Sequence, residues 1–222
     1  MKTKIFDSLP STNDELKKLK NPTEDTFYIA RVQTKGKGSK GRSFICEEGG
    51  VYASLLRLYP CRADESFKIM AGAAVAVVRT LAAFDVKAEI KWPNDIFANG
   101  KKICGILIEN VFEGDTVARS IIGMGVNVNN PIAPEIRDIA TSVKEITGHS
   151  ADIDAFYATL GYNLYADFTM EEYISYCKFL GKEIKIIKGE KEYNGVAESV
   201  LPNGNLKLKS GEILSAAEIT IR

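Results

Sequence analysis

Apolar residues recur along the chain in two different spacings. Short runs rich in Val, Ile, Phe and Tyr that end at Gly, Pro or Asn are typical of β-strands, whereas longer stretches with apolar positions three and four apart are typical of helices. The pattern predicts strands at 5–6, 27–33, 51–58, 86–91, 95–98, 103–108 and 119–129, with extended chain at 43–46. It predicts helices at 11–20, 65–84, 141–148 and 154–173, the last of them continuing to 179.

The pattern changes near Leu180 and Gly181. Four short strands are predicted after this point, at 183–188, 192–199, 205–208 and 213–221, and turns rich in Gly, Asn and Ser separate them. Four such strands predict a small barrel of roughly 40 residues, which is too small to be stable alone and is expected to dock on the rest of the chain. The expected domains are therefore 1–180 and 181–222.

The segment Lys91-Trp-Pro-Asn-Asp95 begins an unusual hairpin. Asn99-Gly100 is a strong signal for a tight turn between the apolar runs 95–98 and 103–108. Four charged residues lie on or beside these strands, and buried charges are costly unless they are paired or bind something; they are Lys91, Asp95, Lys101 and Lys102. A solvated hairpin face is the simpler interpretation. Pro93 argues against it, because proline removes a ladder donor, so the segment is expected to leave the sheet and present Asn94 and Asp95.

A glycine-lysine loop at 34–42 is the second unusual stretch. Its glycines spell G-x-G-x-x-G, but a dinucleotide site needs a helix at the last glycine, and 43–46 looks extended. The Walker A pattern is absent as well. The loop combines backbone that can approach an anion closely with cationic side chains, which suits a polyphosphate or a negatively charged intermediate; these cations are Lys35, Lys37, Lys40 and Arg42. A flexible loop with an excess of lysine is the alternative.

Composition limits the remaining choices. The 222 residues carry 29 basic and 29 acidic side chains, so net charge gives no argument for nucleic acid or a membrane surface. His149 is the single histidine, which weakens any triad or zinc site based on histidine. The four cysteines form no C-x-x-C pair and suit reduced thiols. The start of the chain has no signal-peptide core, and the apolar stretch 69–84 is too short to span a bilayer. These features predict a soluble, cytoplasmic protein.

Together these segments resemble the catalytic region of biotin–protein ligases, within the biotin/lipoate ligase superfamily. The matching segments are Ser11-Thr-Asn13, the loop 33–42, Lys91-Trp-Pro-Asn-Asp95 with Lys102-x-x-Gly105-Ile-Leu-Ile-Glu109, Gly123-Met-Gly-Val-Asn127 and 137–145. The resemblance implies an α+β fold with a mixed central sheet packed by helices, followed by a small SH3-like barrel. It also implies a monofunctional enzyme, without specific DNA binding, because the first strand leaves no room for a helix-turn-helix domain.

The resemblance implies a two-step reaction that uses ATP and Mg²⁺. Biotin is activated to biotinyl-5′-AMP and then passes to one lysine of a biotin carboxyl carrier protein. The implied catalytic residues are Lys102, Asp95 and Arg42, and Asp95 orients or deprotonates the incoming lysine or helps to hold magnesium. The implied biotin-binding residues are Ser11, Thr12, Asn13, Gln33, Gly36, Lys37, Gly38, Ser39, Lys102 and Gly105. The implied nucleotide-binding residues are Lys37, Lys40, Arg42, Ser43, Phe44, Asn94, Asp95, Lys102, Gly125 and Asn127.

Several points stay open at this stage. The family loop usually reads G-R-G-R-x-G-R, but this chain has Lys37 and Ser39 at the first two arginine positions, which predicts a weaker grip on the adenylate. Thr12 and Glu15 have capping-box spacing, so helix capping is the alternative role for Ser11 and Thr12. A lipoate or octanoate ligase of the same superfamily and a non-catalytic biotin sensor are the alternative functions. A homodimer is left open.

Overall fold

The larger part of the chain is built on one mixed sheet of eight strands. The computed structural model describes residues 1–215 and 219–221, with the backbone only at 219–221 and without the side chain of Lys40. The strands of the large sheet are β1 (Lys2–Leu9), β2 (Thr26–Gln33), β3 (Val51–Arg57), β4 (Cys61–Arg62), β5 (Glu89–Lys91), β6 (Asp95–Ala98), β7 (Lys101–Glu113) and β8 (Thr116–Val126). They lie in the order β1-β2-β3-β8-β7-β6-β5, and β4 pairs with β8. Only the β1–β2 pairing in this sheet is parallel, among the strands that the structure describes.

The two faces of this sheet are used differently, because successive side chains of a strand point to opposite sides. In β3, Ala53 and Leu55 join the main hydrophobic core with helix α2 (Phe67–Ala83). Leu56 points the other way, into a smaller cluster with Leu16 of helix α1 (Thr12–Lys17). Strand β3 is thus covered on both faces, which explains its uninterrupted run of buried residues from Val51 to Leu56.

Most predicted elements are present, but several helices have different bounds. Helix α1 ends at Lys17 rather than at residue 20, and a 3-10 turn at Ala63–Glu65 precedes α2. The predicted helix 154–173 is wrong as a single element, since α4 (Ile153–Asn163) and α5 (Met170–Tyr176) are separate and Thr169 caps the second. Helix α3 (Val143–Thr147) is capped by Ser142 and ends at Gly148 in the left-handed conformation.

The hairpin turn was predicted correctly, whereas the strand that follows it is longer than expected. Asn99 and Gly100 both have positive φ, as a type I′ turn requires. Strand β7 runs from Lys101 to Glu113, well beyond the predicted end at residue 108. Residues 92–94 leave the sheet as a turn, as expected, and Asp95 opens β6 opposite Gly105, at the start of the strand predicted at 95–98.

The C-terminal segment forms a second, antiparallel sheet. Its strands are β9 (Glu183–Lys188), β10 (Lys191–Val200), β11 (Leu206–Leu208), β12 (Ile213–Leu214) and β13 (Ile219–Ile221). They lie in the order β12-β11-β10-β9-β13, so the single strand predicted at 213–221 is two strands that pair at opposite edges. Residues 216–218, inside that prediction, lie outside the described residues. This arrangement agrees with the small barrel expected from the sequence.

One stretch, Ala63–Ala83, is long and apolar enough to cross a membrane by length and composition. Half of it is buried inside the protein, and its α2 portion packs in the main core with residues such as Val77 and Leu81. This is how the core helix of a soluble protein packs.

Trp92 connects the two sheets. Its indole is buried, and Nε1 donates a hydrogen bond of 2.8 Å to the carbonyl oxygen of Gly204 in the C-terminal segment. The Trp92→Phe substitution should lower the free energy of unfolding by about 1–3 kcal/mol, because it leaves that carbonyl unpaired and removes packed atoms. Urea unfolding followed by circular dichroism measures this, since the variant lacks the single tryptophan. Tyr59→Phe, at an exposed ring, is the control, and equal stability of both variants would contradict the expectation.

Candidate active site

A cavity of about 410 Å³ opens on the face of the large sheet that carries α1. Ser54, Gly123 and Gly125 form part of its floor and come from the neighbouring strands β3 and β8. Most of the predicted site residues line this cavity: Ser11, Thr12, Asn13, Gln33, Lys37, Gly38, Ser39, Arg42, Ser43, Phe44, Asn94, Asp95, Lys102, Gly105, Gly125 and Asn127. Stretches separated by up to about half of the chain therefore meet at one place.

Two predicted residues, Gly36 and Lys40, are not in this list. Gly36 is buried beside the cavity, where a Cβ atom would lie 2.5 Å from both the Cys46 Sγ and the Phe44 carbonyl oxygen. Its role is therefore close packing of the loop backbone. The side chain of Lys40 lies outside the described part of the structure.

A β-bulge turns Lys102 into the cavity. Gly105, Leu107 and Glu109 are odd-numbered residues on the cavity face of β7, so strict alternation would place Lys102 on the opposite face. Ile96 pairs with Cys104, but the next residue, Phe97, pairs with Lys102. The register therefore shifts here, and Ile103 is the extra residue in β7. A bulge of this kind re-aims the side chains on one side of it. Lys102 therefore shares the cavity with Asp95, and its Nζ lies 2.6 Å from the Asp95 Oδ1.

Backbone bonds from a second segment hold Lys102 in position. Its N–H donates to the Ile139 carbonyl oxygen at 2.9 Å, and its carbonyl oxygen accepts from the Thr141 N–H at 3.0 Å. Both side chains of the Lys102–Asp95 pair are about a quarter to a third exposed. This ion pair is accessible from the cavity and can exchange partners when an anion arrives.

The glycine-lysine loop folds as a narrow extension of the sheet. Phe44 N–H donates to the Gly36 carbonyl oxygen, and Gly38 N–H donates to the Arg42 carbonyl oxygen, at 3.0 and 2.7 Å. A 3-10 turn at Ser39–Gly41 forms the tip, and Gly41 adopts a φ of 73°, which favours glycine. The loop is thus pre-formed as a hairpin, which the sequence pattern did not predict.

Two cations of the loop have defined partners. Lys37 Nζ lies 2.7 Å from a carboxylate oxygen of Asp14 on α1, and this hydrogen bond lowers the pKa of Asp14. Arg42 donates from Nε to the Ser39 carbonyl oxygen at 3.2 Å and from Nη2 to the Ser39 Oγ at 3.0 Å. Lys37 therefore ties the loop to α1, while Arg42 is held within the loop at the cavity wall.

Phe44 lies on a floor of two glycines. Cβ atoms placed on Gly105 and Gly125 would lie 3.4 and 2.8 Å from atoms of the Phe44 ring. The ring packs edge-on against Tyr52, with 6.4 Å between ring centroids. The glycines allow an aromatic ring to lie close to the sheet backbone, which forms a flat apolar wall within the cavity.

A chain of hydrogen bonds crosses the other end of the cavity. Gln33 Oε1 accepts from the Thr12 N–H at 2.6 Å, and the Thr12 and Ser54 hydroxyls are 2.6 Å apart. Ser11 caps α1 by accepting from the Asp14 N–H at 3.4 Å. The capping box expected of Thr12 and Glu15 is not formed, because the Thr12 side chain turns to Gln33 and Ser54 instead.

Two asparagines of the cavity wall mainly bond to the backbone of other segments. Asn94 Nδ2 donates to the Ile106 carbonyl oxygen at 2.8 Å. Asn127 Nδ2 donates to the Thr141 carbonyl oxygen at 3.1 Å, and its Oδ1 accepts from Asn130 at 3.1 Å. These side chains hold the segments that carry Lys102 and the cavity rim.

Sequence reasoning missed part of the cavity. Ser54 lies in a predicted strand whose neighbouring residues are apolar, and a polar residue at such a position was the available signal. The missed wall after β8 is mostly apolar and has no regular pattern; it contains Pro131, Ile132, Ala133, Ile136, Ile139 and Ala140. Ile139 is 66% exposed, so this wall offers an apolar surface beside the cationic loop.

The cavity offers little for a metal held by the protein alone. Within the described residues, no three His, Cys, Asp or Glu side chains are grouped as a metal site. Among the described residues, Asp95 is the one acidic side chain that lines the cavity. Magnesium is commonly held by one or two carboxylates together with substrate phosphates. The residues present therefore fit a magnesium ion that arrives with a nucleotide and contacts Asp95.

Cys46, next to the cavity loop, is not placed to act as a nucleophile. All four cysteines are free, and Cys46 lies below the loop, where its thiol donates to the Phe44 carbonyl oxygen and accepts from Gln33 Nε2. Burial raises the pKa of Cys46 to about 11, so the thiol stays protonated at neutral pH.

With this geometry established, comparison with known proteins decides the family. A model of the biotin/lipoate A/B protein ligase family matches residues 5–127, which is more than half of the chain. The chain belongs to the biotin/lipoate A/B protein ligase family. The family match includes the loop, the Lys102–Asp95 pair and the glycine floor.

Relatives of this family member are similar over different lengths. The bifunctional ligase/repressor BirA of Bacillus subtilis is 40% identical over 153 residues, which cover 67% of this chain and 47% of that protein. A biotin–[acetyl-CoA-carboxylase] ligase of Paracoccus denitrificans is 29% identical over 236 residues, with 94% of this chain and 96% of that protein covered. The chain spans about half the length of the Bacillus relatives that it matches.

A solved structure covers the whole chain. A biotin protein ligase from Aquifex aeolicus, in complex with biotin and ATP, superposes with a TM-score of 0.80 and 27% identity. The alignment covers 100% of this chain and 98% of that one. The mixed sheet with its helices and the small C-terminal sheet are thus the fold of a ligase of this family, as the sequence predicted.

The Gly125→Ala substitution tests whether the Phe44 wall belongs to the nucleotide side of the cavity. The new methyl group would lie 2.8 Å from the Phe44 ring and displace it. The overpacking should cost about 1–3 kcal/mol of folding stability, which leaves the protein folded, and the displaced Phe44 ring should lower ATP affinity by about tenfold or more. Calorimetric titration with ATP measures this. Gly161→Ala, where a Cβ meets nothing within 4 Å, should bind ATP normally, and an unchanged affinity in Gly125→Ala would contradict the assignment.

Proposed function

We propose that this protein is an ATP-dependent biotin–protein ligase. It joins biotin and ATP to biotinyl-5′-AMP and pyrophosphate, and it then transfers the biotinyl group to one lysine of a biotin carboxyl carrier protein. The observation that carries the proposal is the Lys102–Asp95 ion pair, 2.6 Å apart, in a cavity that the cationic loop also lines. The Aquifex ligase that binds biotin and ATP, and the Paracoccus ligase of similar length, support the same function.

The first step brings two anions together, so the site must supply positive charge between them. A carboxylate oxygen of biotin attacks the α-phosphorus, the bond from that phosphorus to the bridging oxygen breaks, and pyrophosphate leaves. Lys102 is the lysine that lines the cavity and pairs with Asp95, and it is assigned to the carboxylate and the α-phosphate. Arg42, at the cavity wall, is assigned to the phosphates. A magnesium ion that arrives with ATP supplies additional charge neutralisation, and Asp95 is the carboxylate that would contact it.

The second step needs a neutral amine. A lysine of the carrier is protonated at neutral pH, with a reference pKa of about 10.4. Once Lys102 has turned to the substrate anions, Asp95 is available to orient this amine and to accept its proton. The amine nitrogen attacks the acyl carbon, the acyl–oxygen bond breaks, and AMP leaves with the electron pair.

The two ends of the cavity are assigned to the two substrates. The hydrogen-bonded end suits the polar ring of biotin, and its assigned residues are Ser11, Thr12, Asn13, Gln33, Lys37, Gly38 and Ser39, with Gly36 in support. Gly105, also assigned to biotin, lies beside Lys102 Nζ and under the Phe44 ring, on the side of the cavity that carries the Phe44 wall. The end with the Phe44 wall suits the adenylate, and its assigned residues are Lys37, Lys40, Arg42, Ser43, Phe44, Asn94, Gly125 and Asn127. Aromatic and apolar surface at this end, including the wall at 131–140, excludes water from the adenylate.

The proposal extends to the setting of the enzyme. A biotin carboxyl carrier domain is the proposed protein partner, and the cytoplasm is the proposed location. We keep the division into domains 1–180 and 181–222; the start of β9 at Glu183 supports it. The family also includes lipoate ligases, so lipoate and octanoate are the competing substrates.

Pyrophosphate exchange into ATP tests the proposed function. Exchange should depend on biotin and should be absent with lipoate or octanoate. The Lys102→Gln variant should lower the rate by a factor of about 10² or more, because it removes the cation paired with Asp95. Exchange with lipoate instead of biotin would indicate a lipoate ligase. If none of the three acids supports exchange, a non-catalytic sensor is favoured. Transfer to a purified carrier domain is then followed by mass spectrometry.

The loop sequence predicts fast release of the adenylate. Ser39 replaces an arginine usual in the family, and Arg42 donates to it rather than to a neighbouring charge. The Ser39→Arg variant should release biotinyl-AMP more slowly, by about three- to tenfold, because a charge-assisted hydrogen bond is added. Release is measured by chasing bound radiolabelled adenylate with unlabelled ligand. Thr34→Arg adds the same charge at an exposed residue that does not line the cavity and serves as control. Equal release from wild type and Ser39→Arg would overturn the prediction.

A further inference from the structure

Glu109 is the last residue of the Lys102-to-Glu109 motif, and the proposed mechanism does not use it. It lies on β7 outside the cavity lining, and its side chain is 32% exposed. Its two carboxylate oxygens have different partners: Oε2 accepts from Asn13 Nδ2 at 2.9 Å, and Oε1 is 2.6 Å from Lys17 Nζ. Glu109 therefore contacts Asn13, which lines the cavity, without lining the cavity itself.

This contact decides the orientation of the Asn13 amide. An ionised carboxylate only accepts hydrogen bonds, so the NH₂ group of Asn13 must face Glu109. The Asn13 Oδ1 then faces the Ser54 hydroxyl, which donates to it at 2.6 Å. Because Ser54 has one proton and gives it to Asn13, the 2.6 Å contact between Ser54 and Thr12 must use the Thr12 proton.

Thr12 is the last residue in this series of hydrogen bonds. The single Thr12 proton is directed to Ser54, so the hydroxyl does not also donate to Gln33 Oε1, 3.0 Å away, and it keeps acceptor capacity only. Thr12, Asn13 and Ser54 are all at least 96% buried and all line the cavity. In such a setting each hydrogen bond is strengthened by low local dielectric, so one fixed end can set the direction of the whole chain.

The sheet is shaped to hold the Asn13 amide flat. A Cβ atom on Gly123 would lie 2.3 Å from the Asn13 Oδ1, so the amide rests directly on the backbone of β8. Lys17 holds Glu109 from the solvent side, and the hydrogen bond to Glu109 raises the pKa of Lys17. The backbone at Gly123 and the carboxylate of Glu109 thus both fix the orientation of the Asn13 amide.

We propose that Glu109 is a positioning residue for the biotin end of the cavity. It acts through Asn13 and Ser54 to keep Thr12 as a hydrogen-bond acceptor towards the substrate. The assignment rests on the proposed function for the identity of the substrate, whereas the direction of the hydrogen bonds is a property of the protein without ligand. A glutamine at this position keeps the shape but can donate as well as accept, so it permits the reversed direction.

The ligand-free protein provides the first test. In ¹⁵N–¹H spectra, the side-chain amide of Asn13, identified by its loss in Asn13→Asp, should show one proton shifted downfield by its charge-assisted bond. Glu109→Gln should remove this shift. Glu113→Gln, a neutralised carboxylate in the exposed end of the same strand, should retain it. A downfield proton that persists in Glu109→Gln would overturn the assignment.

Steady-state pyrophosphate exchange provides the second test. Glu109→Gln should raise the KM for biotin by about tenfold, because buried polar groups face the substrate in the wrong orientation. The KM for ATP and kcat should change less than about twofold, a split that a general loss of folding would not produce. Lys17→Gln removes the ion pair but keeps the acceptor, so its KM for biotin should stay within about twofold of wild type.

The outcomes are distinguishable. Loss of the downfield proton with a selective rise in the KM for biotin supports the inference. Loss of the proton without a change in that KM overturns the positioning role, and equal rises in both KM values do the same. If wild-type protein neither binds biotin nor exchanges pyrophosphate with it, the proposed function fails and the substrate part of the inference fails with it, while the spectra still decide the direction of the hydrogen bonds.

Discussion

The ion pair between Lys102 and Asp95 depends on one extra residue in a strand. Without the bulge at Ile103, strand alternation would turn Lys102 towards the hydrophobic core, where an ammonium group is costly. With the bulge, the lysine reaches the cavity and finds a carboxylate at 2.6 Å. The rest of the site is arranged around this pair: the loop adds positive charge from above, and the 139–141 segment fixes the lysine backbone.

The second constraint is the glycine floor. Gly105, Gly123 and Gly125 lie on neighbouring strands of one sheet face. A Cβ on Gly123 or Gly125 would lie only 2.3 Å from Asn13 or 2.8 Å from Phe44, and one on Gly105 would lie 3.2 Å from Lys102 and 3.4 Å from Phe44. Phe44 covers two of them, and Asn13 covers the third. The absence of three side chains therefore creates both ends of the cavity, an apolar wall at one end and a polar network at the other. In the proposed reaction this difference separates the two substrates.

Much of this could be predicted from the sequence, since the information was local. The Asn99-Gly100 turn, the long α2 and the central strands follow from residue spacing, and the motif residues meet in one cavity as expected. What the sequence did not reveal depends on contacts between distant segments. The bulge that re-aims Lys102, the partner of Thr12 at Ser54 and the apolar wall at 131–140 have no periodic signal. The single helix expected from 154 onwards failed because the apolar spacing continued through residues 164–169, where the structure ends α4 and begins α5 only after the Thr169 cap.

The motif also contains residues that chemistry alone does not explain. Lys102 and Asp95 have assigned roles in the proposed adenylate-forming reaction, but Glu109 does not line the cavity. Its value is that a carboxylate can only accept, so it removes one of two orientations open to a buried amide. Glu109, Lys17, Asp14 and Lys37 then form a continuous series of ion pairs from the sheet through α1 to the loop. The same helix that presents Thr12 and Asn13 is thereby tied to both the floor and the cover of the cavity, so the positions of the two are coupled through α1.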